Sequence, residues 1–141
     1  MIRQLFVNLP VADVARAQAF YLALGFTLEP KFSNEAAACI VISDTIQVML
    51  LGRPFFQTFT KKPICDAQAA TEVILCLSCE SRAEVDGLAA RALAGGGSTP
   101  NVPQDHGFMY GHGFEDPDGH IWELVYMVPG TEIQHISEEL S

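Results

Sequence analysis

The sequence predicts an α+β fold made of two tandem βαβββ modules. Three observations carry that reading. The series strand, capped helix, glycine stop and three strands is written twice, and the two caps, Asp13 and Ser81, lie 68 positions apart. Each half ends in an apolar hairpin. The composition, 49% hydrophobic with only 18% charged residues, is ample for a packed interior. A βαβββ half leaves one sheet face uncovered, so two halves must meet, within one chain or between two.

In the first half, Leu5 to Val11 is a short apolar run with β-branched content and reads as a strand. Asp13 sits at an N-cap position, and Val14, Ala17, Phe20, Tyr21 and Leu24 recur at helical spacing. Gly25 supplies the left-handed position that ends the helix. Phe26 to Leu28, Ala37 to Ile42 and Ile46 to Leu51 complete the module, with a turn at Asp44-Thr45. In the second half, Ile74 to Cys79 is the strand and Ser81-Arg82-Ala83-Glu84 has the form of a capping box. Val85, Leu88, Ala89, Ala92 and Leu93 carry the helical stripe, and Gly95-Gly96-Gly97 stops it. Strands are expected around Thr99 to Val102, Phe108 to Phe114 and Ile121 to Tyr126, the last two joined by the tight turn Asp116-Pro117-Asp118-Gly119.

The modules accordingly span 2–51 and 71–127, with a linker over 52–70 and a tail over 128–141. The linker is long and carries Phe55, Phe56 and Phe59, which are costly to expose and are expected to cover a pocket or a subunit interface. In the tail, Ile133, Ile136 and Leu140 have helical spacing among acidic residues and suggest a short surface helix.

The formal charge of −9, from 17 acids against 8 bases, repels phosphate backbones and anionic lipid. Neither nucleic acid nor membrane is therefore expected as a partner. The opening MIRQLFVNLPVADV has no continuous apolar core of a signal peptide, and no apolar stretch approaches the roughly 20 residues that span a bilayer. The expected location is the cytoplasm. Cys39, Cys76 and Cys79 lie in apolar strand-like runs, where a thiol acts as a small hydrophobe. The spacing Cys76-x-x-Cys79 reads as mid-strand rather than as a redox or metal turn.

Val11-Ala12-Asp13, Ala19-Phe20-Tyr21 and Leu24-Gly25-Phe26, together with the closing run Phe114-Glu115-Asp116-Pro117-Asp118-Gly119-His120-Ile121-Trp122-Glu123-Leu124, resemble the opening and closing motifs of the vicinal oxygen chelate superfamily. That group includes glyoxalase I, bleomycin and fosfomycin resistance proteins and extradiol dioxygenases. The resemblance runs from about Ile2 to Met127. It implies curved mixed sheets forming a half-open barrel cup, commonly paired in a homodimer. It also implies a divalent metal held by four strand-borne His and Glu side chains, two per module.

Carried over residue by residue, that ligand set is largely replaced. The position of the first histidine is Phe6, that of the second is Ile74, and the first module's carboxylate should stand around Val48. Only Glu123 remains. A lone carboxylate among Phe, Val and Ile is a poor cation site, so no metal cofactor is expected. A shift of strand register would bring in Asn8 or Gln47, and Glu72 with Glu123 would then be the metal candidates.

Glu123 is expected to face the cup with Ile121 and Val125, as an acid, base or ligand anchor. Phe108, Tyr110, His112 and Phe114 share one face of their strand; if it lines the cup, Tyr110 and His112 are its polar contacts and join Glu123 as candidate catalytic groups, and if not they are surface or interface residues. His106 could reach over the rim, Arg53 could meet an anionic ligand, and His120 is expected at the solvent-exposed turn.

Three functions follow. The first is a homodimeric protein, binder or metal-independent enzyme, with an apolar cup for a small organic molecule. The expected lining is Phe6, Val48, Ile74, Tyr110, Phe114 and Arg53. The second is a lyase, isomerase or dioxygenase using a metal at a shifted site near Glu123. The third is a non-catalytic dimer module.

Overall fold

The computed structural model describes residues 1–130. Its elements in the first half are β1 (Leu5–Val11), α1 (Val14–Ala23), β2 (Thr27–Leu28), β3 (Ala37–Val41) and β4 (Ile46–Gly52). A short helical turn α2 (Arg53–Phe56) opens the linker. The second half contains β5 (Leu75–Cys79), α3 (Arg82–Ala94), β6 (Gln104–Asp105), β7 (Met109–Glu115) and β8 (Ile121–Met127). They form two four-stranded mixed sheets, ordered β1-β4-β3-β2 and β5-β8-β7-β6. In each, the first strand pairs in parallel with the last and the other pairings are antiparallel. The chain is thus α+β with one module repeated, and neither sheet closes on itself.

Local chemistry explains the helix boundaries. The Asp13 carboxylate accepts the Arg16 N–H at 3.0 Å, and the Ser81 hydroxyl accepts the Glu84 N–H at 3.0 Å. The Glu84 carboxylate reaches back to the N–H of Glu80 rather than to that of the cap itself. Gly25 leaves α1 at φ 105°, which a side chain would oppose. The sixth strand forms at Gln104–Asp105, not over Thr99–Val102. Pro100 and Pro103 lack the N–H donors a ladder needs, and only a single bridge, Ser98 to Glu115, precedes it. The helix expected at 133–140 lies outside the described residues.

Both helices and the helix-facing sides of both sheets enter one core. Leu9, Val11, Ile40, Val48 and Leu50 come from the first sheet, and Phe114, Trp122 and Leu124 from the second. An aromatic cluster joins the halves: Phe20 lies 5.9 Å from Phe114, and Tyr21 lies 6.1 Å from Trp122, ring centre to ring centre. Its polar centre is Tyr21, 1% exposed, whose hydroxyl donates to Asp116 Oδ2 at 2.6 Å and accepts from Trp122 Nε1 at 3.0 Å. The other oxygen of Asp116 accepts the N–H groups of Asp118 and His120. Asp118 in turn accepts from the Ala12 N–H at 2.9 Å, and His120 Nε2 donates to the Pro10 carbonyl at 2.7 Å. His120 is therefore a half-buried clasp rather than a solvent-exposed turn residue.

The Asp116 carboxyl is 4% exposed, and burial raises its pKa against the lowering effects of His120 and the Tyr21 hydrogen bond. Burial, then the Asp116 charge, also pushes the Tyr21 phenol well above its usual range. Removing that hydroxyl strands a carboxylate oxygen and an indole N–H in the core. Tyr21→Phe is expected to cost about 2–4 kcal/mol, read from urea unfolding. The raised Asp116 pKa has a definite sign. As pH climbs from the ordinary carboxylate value towards the folded-state value, the unfolded chain releases its proton first, and this group's contribution to stability falls. Relative to Asp116→Asn, the native protein should lose stability through that acidic window, measured as unfolding free energy against pH.

Candidate functional site

Strand register decides which side chains reach the faces left uncovered by the helices. In the second sheet, Cys76, Gly113 and Glu123 share one row, and Ser78, Gly111 and Val125 the next. Trp122, Leu124 and Phe114 point the other way, into the core. Glu123 therefore does face the open side, with Ile121 and Val125. In the first sheet, Phe6 pairs with Gln47 and Asn8 with Met49 on the open side, while Val48 is fully buried beneath the helices.

A recess of 330 Å³ lies on the open face of the second sheet. Its floor is Glu123, Cys76, Gly111, Gly113 and Val125, and its rim includes His106, Gln104 and Val102. The Glu123 carboxylate lies directly over Gly113, where an added Cβ would come within 2.7 Å of Oε1. That glycine is what gives the acid room to lie flat. No hydrogen bond or ion pair engages Glu123 among the described residues. Burial and the Glu123 charge raise the pKa of the neighbouring Cys76 thiol. Cys79 faces the core, and burial, with help from Glu84, pushes its thiol up to about 12. The two cysteines stand on opposite faces of β5, so they cannot share a metal or a disulfide in this register.

Several expected contacts lie elsewhere. Tyr110 faces the helix side and donates to Asp86 on α3 at 2.6 Å, with the Arg82 guanidinium 5.8 Å above its ring. His112 lies on that same side, Nε2 at 3.0 Å from the Asn101 carbonyl. Phe114 is stacked on Trp122 in the core at 6.2 Å. None of these three lines the recess, and neither does Val48. Phe6 does reach an open face, 47% exposed, but that of the first sheet. Ile74 is exposed just ahead of β5, and Arg53 opens α2 and does not line the recess. Glu72 lines a different cavity, beside β1. His106 does stand at the rim, stacked on Phe108 at 6.0 Å. The contributions of Cys76, Gly111 and Gly113 were missed by sequence reasoning. The alternation Gly111-His112-Gly113 was the available signal, since small residues on one face of a strand make room for something.

The register also tests the metal set. The row Cys76–Glu123 lies 68 residues beyond Asn8 in its first strand, so the counterpart of Glu123 in the first module is Met49. Phe6, Met49, Ile74 and Glu123 offer one carboxylate and no imidazole. Gln47 adds a neutral amide whose oxygen is buried without a partner. Among the described residues no three His, Cys, Asp or Glu side chains are grouped so that they could hold a metal ion. The chelating set does not fit these residues.

Comparison with known proteins agrees with the architecture. Residues 3–43 match the family model "Bleomycin resistance protein-like N-terminal". The hypothetical protein SA1046 from S. aureus is similar at 28% identity and a TM-score of 0.76, over 89% of this chain and 95% of that one. A glyoxalase-related enzyme from Fulvimarina pelagi aligns at 21% identity and 0.74, covering 89% and 88%. A glyoxalase/bleomycin resistance protein/dioxygenase family enzyme from Burkholderia phytofirmans PsJN aligns at 16% and 0.71, covering 86% and 96%. No curated protein matches the chain. The fold is that of the glyoxalase/bleomycin resistance/dioxygenase proteins. The family match covers only the opening of the first module, and the solved structures bear on the fold.

Proposed function

We propose that this chain binds a small organic molecule without a metal, in the recess over Glu123. The observation that carries the reading is an unpaired carboxylate lying on a glycine floor between Val125, Cys76 and Met109. Such a group, in mostly apolar surroundings, favours a ligand with an apolar body and one cationic or hydrogen-bond-donating group. Sequestration of an amine-bearing drug, in the manner suggested by the bleomycin-resistance family name, is the simplest version. No second carboxylate lines the recess beside Glu123, and its one imidazole, His106, stands at the rim stacked on Phe108, which favours binding over catalysis.

The recess is incomplete within one chain. Every residue lining it belongs to the second module, and the open row of the first sheet, including Phe6, faces away from the shared core. A homodimer in which the first sheet of one copy covers the second sheet of the other would supply the missing wall and hide Phe6. Sedimentation of the native protein should show a dimer, and Phe6→Glu should shift it to monomer. A monomer at all concentrations overturns this assembly.

The ligand reading is tested by thermal shift against aromatic amines, thiol conjugates and neutral aromatic compounds. Amine ligands at about 100 times Kd should stabilise the protein by about 2.7 kcal/mol. Glu123→Gln should weaken them by about tenfold or more while leaving neutral ligands unchanged. Stoichiometric zinc, nickel, manganese or iron in protein purified without chelator, lost in Glu123→Ala, would overturn the metal-independent reading.

A further inference from the structure

A second cavity, of 430 Å³, lies outside the recess described above. Its walls are the start of the linker at Phe56, the segment through Ile64 and Cys65, and the strand residues Pro10, Leu75 and Ile121. Its lining comes from both modules and the linker, and its surface is mainly apolar. We propose that it is a ligand site in its own right, for a compact hydrophobic molecule of the size of a short alkyl chain or a single aromatic ring.

The roof over this cavity is fixed. The side-chain amide of Gln68 donates to the Pro117 carbonyl at 2.9 Å. Gly119 packs so closely on the linker that a Cβ there would come within 2.8 Å of the Ala67 carbonyl. Asp66 organises the turn, accepting the N–H groups of Gln68, Ala69 and Ala70 at 3.0 Å. The floor is pinned by the 2.7 Å contact between His120 and the Pro10 carbonyl. Because both walls are anchored to the Asp116–His120 turn, the linker cannot simply sink into the space and fill it. The volume falls in the lower part of the range that holds small ligands, about 300–1,000 Å³. Water held against its apolar walls gains little, so a hydrophobic occupant that displaces it is favoured. A small hydrophobic molecule fits both the volume and the lining.

Cys65 provides the means of testing. It is exposed and lines the cavity, whereas Cys39 and Cys79 are buried, so in Cys76→Ser protein it is the one accessible thiol among the described residues. Methyl and hexyl methanethiosulfonates each form a mixed disulfide with that thiol as methanesulfinate leaves. The hexyl adduct is expected to melt about 5 °C or more above the methyl adduct, because only the longer tail fills the cavity. Adding Glu123→Gln should leave that gain unchanged, since the two sites are separate. A hexyl adduct that melts at or below the methyl adduct overturns the proposal. A gain that grows with protein concentration would assign the apolar surface to contact with a second copy instead. A gain seen only after removal of residues 131–141 would assign it to the chain's own tail. Either result replaces the proposed ligand.

Discussion

The buried carboxylate of Asp116 is the point on which the two modules are hung. It sits at the closing turn of the second module, yet its strongest partner is Tyr21 on the first module's helix. Taking a carboxylate out of water is expensive unless its lone pairs are satisfied, and here one oxygen accepts a phenol and the other two backbone N–H groups. Trp122 completes the arrangement by donating to the same phenol, so aromatic packing and hydrogen bonding reinforce each other. The Asp-Pro-Asp-Gly turn is thus more than a hairpin connection. Its two acids and the following histidine fasten β8 to the start of α1 and to β1.

That fastening has a consequence for the binding surface. With both helices and both helix-facing sheet sides committed to one core, the other two faces are left outward. The molecule then carries two half-cups rather than one cup, and each is walled by its own module. The second sheet's half is the chemically distinctive one, because Gly113 lets Glu123 lie flat and Cys76 stands beside it. The first sheet's half offers Phe6, Gln47 and Met49 in the equivalent rows. Across these rows the two sheets present one carboxylate and no imidazole.

The element order, both helix caps, the closing turn and the placing of Glu123 on the open face were legible in the chain because each is a local signal with a fixed period. The faces of β7 were not, although the means to find them was present. An antiparallel partner of an inward residue must itself point inward, and a turn at 116–119 pairs Gly113 with Glu123. Tyr110, His112 and Phe114, one residue out of phase, therefore had to face the helices. The same parity removes Val48 from the cup and puts Gln47 and Met49 there. His120 was misplaced for a different reason: the carbonyl that holds it is 110 positions away in the chain.

By itself the sequence determined the repeat, the strand and helix periods and the caps, since all of these depend on residues near one another in the chain. Only the tertiary structure decided that the modules join through their helices, that the cups stay open within one chain, and that a walled cavity forms beneath the linker. Those outcomes depend on which distant groups can satisfy one another once buried, and no spacing along the chain encodes that.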